Sequence, residues 1–141
     1  MNLEIIAPEA LHQWWLTVRE GVVRCLKHDT DGPIPEDIYW LIKTSQVQMY
    51  VGKNEGHSYC GFIILNIVVN PFSGKKRLHI WYAYNAISDF EIVPECLHLI
   101  EDMAESQGID TLSFRSDKLA FERWAGKLGF KLHEIELYKG I

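Results

Sequence analysis

Residues 3–6 form a short apolar run closed by Pro8, which predicts a first strand. Leu11, Trp14, Trp15, Val18, Val22, Cys25 and Leu26 then recur at helical spacing. His28 to Pro33 are dense in turn formers, and Pro35 with Glu36 and Asp37 behind it opens a second helix over about 35–45. Val47, Met49 and Val51 alternate with Gln46, Gln48 and Tyr50, the pattern of a half-buried strand, before Gly52 to Gly56 turn the chain. Residues 59–69 are apolar on both faces and predict a central strand. After a turn at Asn70–Gly74, residues 77–85 read as an aromatic-rich strand. Ile92, Val93, Cys96, Leu97, Ile100, Met103 and Ala104 give the strongest helical stripe in the chain, ended by Gly108. Residues 110–115 predict a further strand, residues 119–128 a last helix stopped by Gly129, and residues 131–138 a final strand.

The order β-α-α-β-β-β-α-β-α-β places an antiparallel meander in the middle and helical crossovers at the end. It predicts an α/β fold with a mixed, α+β-like sheet and helices on both faces. No repeat, low-complexity tract or linker divides residues 1–141, so one domain is expected. Chain length agrees, since a domain of this size hides roughly two thirds of its unfolded surface.

Charge narrows the choice of partners. A formal net charge of −5 offers no general field for phosphate backbones, and the basic triplet Lys75-Lys76-Arg77 sits in a turn region, so nucleic acid is not expected. Cys25, Cys60 and Cys96 show no paired spacing, which predicts neither a disulfide framework nor a metal site and suits a reducing cytoplasm. His98 with Asp102 or Glu95 lacks a third ligand at matching spacing and reads as a solvated helix face. The N-terminal residues have no basic region followed by an apolar stretch, and no run approaches the roughly 18 apolar residues of a membrane span, so neither export nor membrane insertion is expected.

The element order, with Gln107-Gly108-Ile109-Asp110-Thr111-Leu112 joining a long helix to a strand and Leu128-Gly129-Phe130 closing the next helix, resembles the GNAT (N-acetyltransferase) superfamily over essentially the whole chain. The small size is also similar to GNAT-like proteins encoded by tailed phages and prophages, which implies a host cytoplasm or virion as an alternative location. The resemblance implies a loop between the fourth strand and the long helix, of the form Gln/Arg-x-x-Gly-x-Gly/Ala, holding the pyrophosphate of acetyl-CoA on backbone N–H groups. Here those six positions fall on Ser88 to Val93, so Glu91 and Val93 stand for the two glycines and Ser88 for the basic residue. Residues Ile87, Ser88, Asp89, Phe90, Glu91 and Ile92 are the expected coenzyme loop in degenerate form. Asp89 and Glu91 suit the helix dipole and compete with a bound anion. The family's acid, a tyrosine on the last helix, aligns with Ala125, beside Trp124, which is no acid.

Candidate chemistry therefore rests on other groups. His79 has the most suitable unperturbed pKa for a general base, set against the ordinary reading of a structural strand histidine. Asn66 inside an apolar run needs a partner, whether at a bulge, a splayed strand or a ligand. Tyr138, Tyr82 and Tyr84 are the phenols available to replace the missing acid. Of Trp14 and Trp15, one is expected in the core and one at the rim of an acceptor groove. Two functions follow: a non-catalytic or weakly active binding or assembly module with a protein partner, or an acetyl-CoA-dependent N-acetyltransferase acting on an amine.

Overall fold

The alternating apolar positions around Met49 and Val51 build the second strand of an antiparallel meander, β2 (Gln48–Lys53), β3 (Tyr59–Val69) and β4 (Lys76–Asn85). The structure is a computed structural model describing residues 1–27, 29, 31–115, 125–131, 133, 137 and 139–141. β1 (Asn2–Ile5) pairs antiparallel with β2, and β5 (Leu112–Phe114) pairs parallel with β4, giving the order β1-β2-β3-β4-β5. This is the mixed sheet expected from the element order. β3 matches the predicted 59–69 at both ends, and its residues 60–65 are buried, as a strand covered on both faces requires.

Two core clusters lie on opposite faces of this sheet. One joins α1 (Leu11–Leu26) and α2 (Pro35–Lys43) to Met49, Val51, Phe62 and Ile64. The other joins α3 (Ile92–Ser106) to Ile63, Leu65, Leu78 and Ile80. Successive strand residues point to opposite faces, so β3 feeds both clusters. Each fully buried side chain such as Phe62 or Ile100 contributes on the order of 1.5–3 kcal/mol. Gly21 seats α1 on the sheet: a Cβ there would run into the Tyr84 and Phe62 rings.

Two helices end at the glycines their sequences predict, and α2 ends at Lys43, short of the expected 45, through a serine. Gly108 has φ 71°, Ile109 N–H bonds Ala104 C=O at 2.9 Å and Gly108 N–H bonds Glu105 C=O at 3.0 Å, a Schellman ending for α3. Gly129, φ 91°, closes the final helix in the same way, with Phe130 N–H on Ala125 C=O at 2.9 Å. The end of α2 uses Ser45 at φ 60° in that role, with Gln46 N–H on Leu41 C=O at 2.9 Å. Of the last predicted helix only Ala125–Lys127 are described as helical, and residues 116–124 with most of the expected 131–138 strand lie outside the described residues. No helix among the described residues is long and apolar enough to cross a membrane.

Candidate functional site

β4 is interrupted at its middle. Ile64 pairs with Tyr82 while Leu65 pairs with Ile80, so Trp81 is an extra residue, a β-bulge. A bulge sets two consecutive side chains on one face, and the Trp81 and Tyr82 rings are accordingly neighbours, 4.8 Å between centroids, both packed on the α1/α2 cluster. Among the described residues β5 pairs with Leu78–Ile80, below the bulge. Above it, Tyr82 to Asn85 are paired with β3 and, among the described residues, with no other strand.

At the open end lies the loop 86–91 and the start of α3. Asp89 adopts φ 57°, and Glu91 is the N-cap residue but makes no side-chain cap bond. The cap is Asn85, the last residue of β4: its Oδ1 accepts from Ile92 N–H at 2.8 Å and its Nδ2 donates to Glu91 Oε2 at 3.1 Å. The Ile92 N–H at the start of α3 is thus occupied by the chain's own amide, held by a carboxylate. Self-capping was expected from Asp89 and Glu91; the amide six residues ahead of Glu91 does it instead. Val93 is buried inside the first turn of α3, so it is a core residue rather than a loop position.

On the α1/α2 face, below the bulge, a polar row crosses three strands. Asn66 pairs with His79 across β3 and β4, and His79 pairs with Ser113 across β4 and β5. His79 Nδ1 is 2.9 Å from Ser113 Oγ, which also accepts from Arg77 Nε at 3.0 Å. Arginine can only donate. Ser113 Oγ has a second lone pair as well as its own proton, so His79 Nδ1 donates to it or accepts from it according to the ring's tautomer. Burial, then the charges of Arg77 and Arg115, hold the imidazole below its ordinary pKa, against a raising hydrogen bond to the Ser113 backbone.

Two tyrosines flank the bulge with different surroundings. Tyr82 OH donates to Asp29 Oδ2 at 3.2 Å, bringing the turn after α1 onto the strand. Burial, chiefly, and the Asp29 carboxylate push that phenol up to about 12. Tyr84 packs on Phe62, 5.5 Å between ring centroids, beneath Gly21. Tyr59 OH is buried with no hydrogen-bond partner among the described residues, and burial raises its pKa well above the phenol range. Trp14 and Trp15 are both half-buried, against the expectation of one core and one rim ring. Trp14 sits 6.5 Å from Tyr59 with Lys53 over its face, and Trp15 meets Tyr39 edge-on at 5.0 Å.

Of the sequence candidates, Asn66 and His79 come together, and Ile87–Ile92 form the link from β4 into α3. Tyr138 lies outside the described residues, as does Trp124. No group of His, Cys, Asp and Glu among the described residues suits a metal ion. Asn85, Arg77 and Ser113 escaped the sequence reading. Asn85 carried a faint signal, an Asx residue ahead of an apolar helical stripe; the pairing of Ser113 with His79 is a register fact with none.

A scan against protein-family models finds no match. A search of curated proteins finds none either. Among solved structures the chain is similar to a probable acetyltransferase, TM-score 0.72 at 14% identity, covering 100% of this chain and 97% of that one. It is similar to the ribosomal-protein-alanine N-acetyltransferase from Brucella melitensis biovar Abortus 2308, TM-score 0.70 at 10% identity with 100% of both chains covered. An aminoglycoside acetyltransferase from an uncultured soil metagenomic sample, solved with sisomicin, gives TM-score 0.72 at 12% identity, covering 99% of this chain and 95% of that one. The fold is therefore GNAT-like.

Proposed function

We propose that this GNAT-fold protein is a binding or assembly module, non-catalytic or weakly active, with its acetyl-CoA site closed by its own side chains. The observation that carries this reading is Asn85, whose amide oxygen takes the Ile92 N–H while Glu91 holds the amide in place. A pyrophosphate entering there must displace Asn85 and sit beside Glu91 and Asp89, each repelling it by on the order of 1 kcal/mol or more at partly exposed distances. Function lives in the site rather than in the fold, and this is the part of the site that departs from the family. The resemblance to small phage and prophage proteins suggests a protein partner, met in a host cytoplasm or a virion.

Calorimetry with acetyl-CoA and CoA tests it. The parent is expected to show no micromolar binding, and the double variant Asn85→Gly with Glu91→Gly is expected to bind more tightly. Micromolar binding by the parent overturns the reading.

The bulge at Trp81, where the described β4–β5 pairing ends, favours a second reading, an acetyl-CoA-dependent N-acetyltransferase acting on an amine. Backbone groups of Ile87–Ile92 would hold the coenzyme, His79 or the Asn66 amide would meet the acceptor, and Tyr138 or a water would protonate the leaving thiolate. For His79 to act as base through Nε2, its ring proton must sit on Nδ1, where Ser113 can accept it. Release of CoA from acetyl-CoA on adding amines, abolished by His79→Gln, would put this reading first.

A further inference from the structure

We propose that Arg77, Ser113 and His79 form a recognition site for a carboxylate group, the anionic end of the ligand this domain takes up. The inference rests on the second functional reading, in which His79 or Asn66, on the α1/α2 face of the sheet, meets the ligand.

That face is apolar through Met49, Val51, Phe62 and Ile64, and then changes character within one row. Asn66, His79 and Ser113 are half-buried side chains on three neighbouring strands, in register with one another. The donors they can turn outward are the Asn66 amide nitrogen and, when Nδ1 accepts from Ser113, His79 Nε2–H. Arg77 adds the charge. Its Nε is committed to Ser113 Oγ at 3.0 Å, which fixes the guanidinium plane and leaves the Nη pair to face a ligand.

The chain has 19 acidic against 14 basic residues, yet among the described residues no carboxylate pairs with Arg77. A guanidinium oriented by a neighbour, beside a neutral imidazole donor, matches the planar two-oxygen geometry of a carboxylate. Ser113 is a positioning residue here, acting through both Arg77 and His79.

The test uses the whole chain and follows backbone amide signals in NMR titrations with N-acetylglutamate, its neutral analogue N-acetylglutamine, and inorganic phosphate. Saturable shifts at residues 77–79 and 113 are expected with N-acetylglutamate, with affinity weaker by about tenfold or more for N-acetylglutamine, the size of a charge-assisted bond. Arg77→Gln should lose the same factor while melting as the parent does. Ser113→Ala should weaken binding and Ser113→Thr should restore it, which a purely packing role would not produce. Equal binding of the two analogues, full affinity in Arg77→Gln, or tighter binding of phosphate overturns the proposal. None of these outcomes depends on coenzyme affinity, so the failure of this site and the failure of the closed-loop reading are separately visible.

Discussion

Ser45 holds a backbone angle better suited to glycine. At φ 60° its Cβ crowds the following carbonyl, a cost accepted because Gln46 and Ser45 must close α2 through Leu41 and Ile42. Ser45→Gly is expected to raise stability by about 0.5–1 kcal/mol, seen as a higher denaturant midpoint with unchanged slope. His79 adds a pH term of known sign. Its pKa is about 6.5 when unfolded and lower when folded, so as pH falls through that window the unfolded chain takes up a proton that the folded chain resists. Stability should drop with acid across the window, and His79→Gln should lose that part of the slope in melts from about pH 7.5 down to about pH 5.5. At this scale the sequence was informative about single residues and silent about neighbours. Asn66 and His79 each stood out within an apolar strand, but their pairing depends on the register set by the turn between β3 and β4, and Ser113 beyond them on the β4–β5 register, neither of which periodicity reveals.

The long helix shows why some elements are legible. α3 repeats apolar residues on one stripe, and Ile100 and Ala104 lie buried against Ile63, Leu65 and Ile80 as that stripe predicts. Ile100→Asp would place an unpaired charge in this cluster, so loss of the cooperative melt is expected; a soluble variant that melts like the parent would contradict the packing. Strand β3 was equally plain because burial on both faces leaves a continuous apolar run. The start of α3 was not. Its cap comes from Asn85 at the end of another element, and a hydrogen bond across six positions leaves no mark on local composition.

For the molecule as a whole, the element order was enough to predict the mixed sheet and its helices on both faces, since these follow from period and turn chemistry, while the GNAT-like fold came from the resemblance carried by that order with Gln107–Leu112 and Leu128-Gly129-Phe130. The site was legible only as a departure, a loop without glycine, because what replaced the glycines had to be seen in three dimensions. Trp81 carries a separate lesson about insertion and deletion. Ordinary alternation would put Tyr82 and Tyr84 on the face opposite His79; the extra residue restores them to the same face. Removing Trp81 alone would therefore reverse no side chain and would leave a continuous ladder, Leu65 with Ile80 beside Ile64 with Tyr82. The deletion should fold and slow amide exchange along the second half of β4, whereas deletion of Ile80 should force Trp81 into its place on the α3 face and fail to fold. A lineage carrying this domain can thus gain or lose the opening of its sheet by a single in-frame codon.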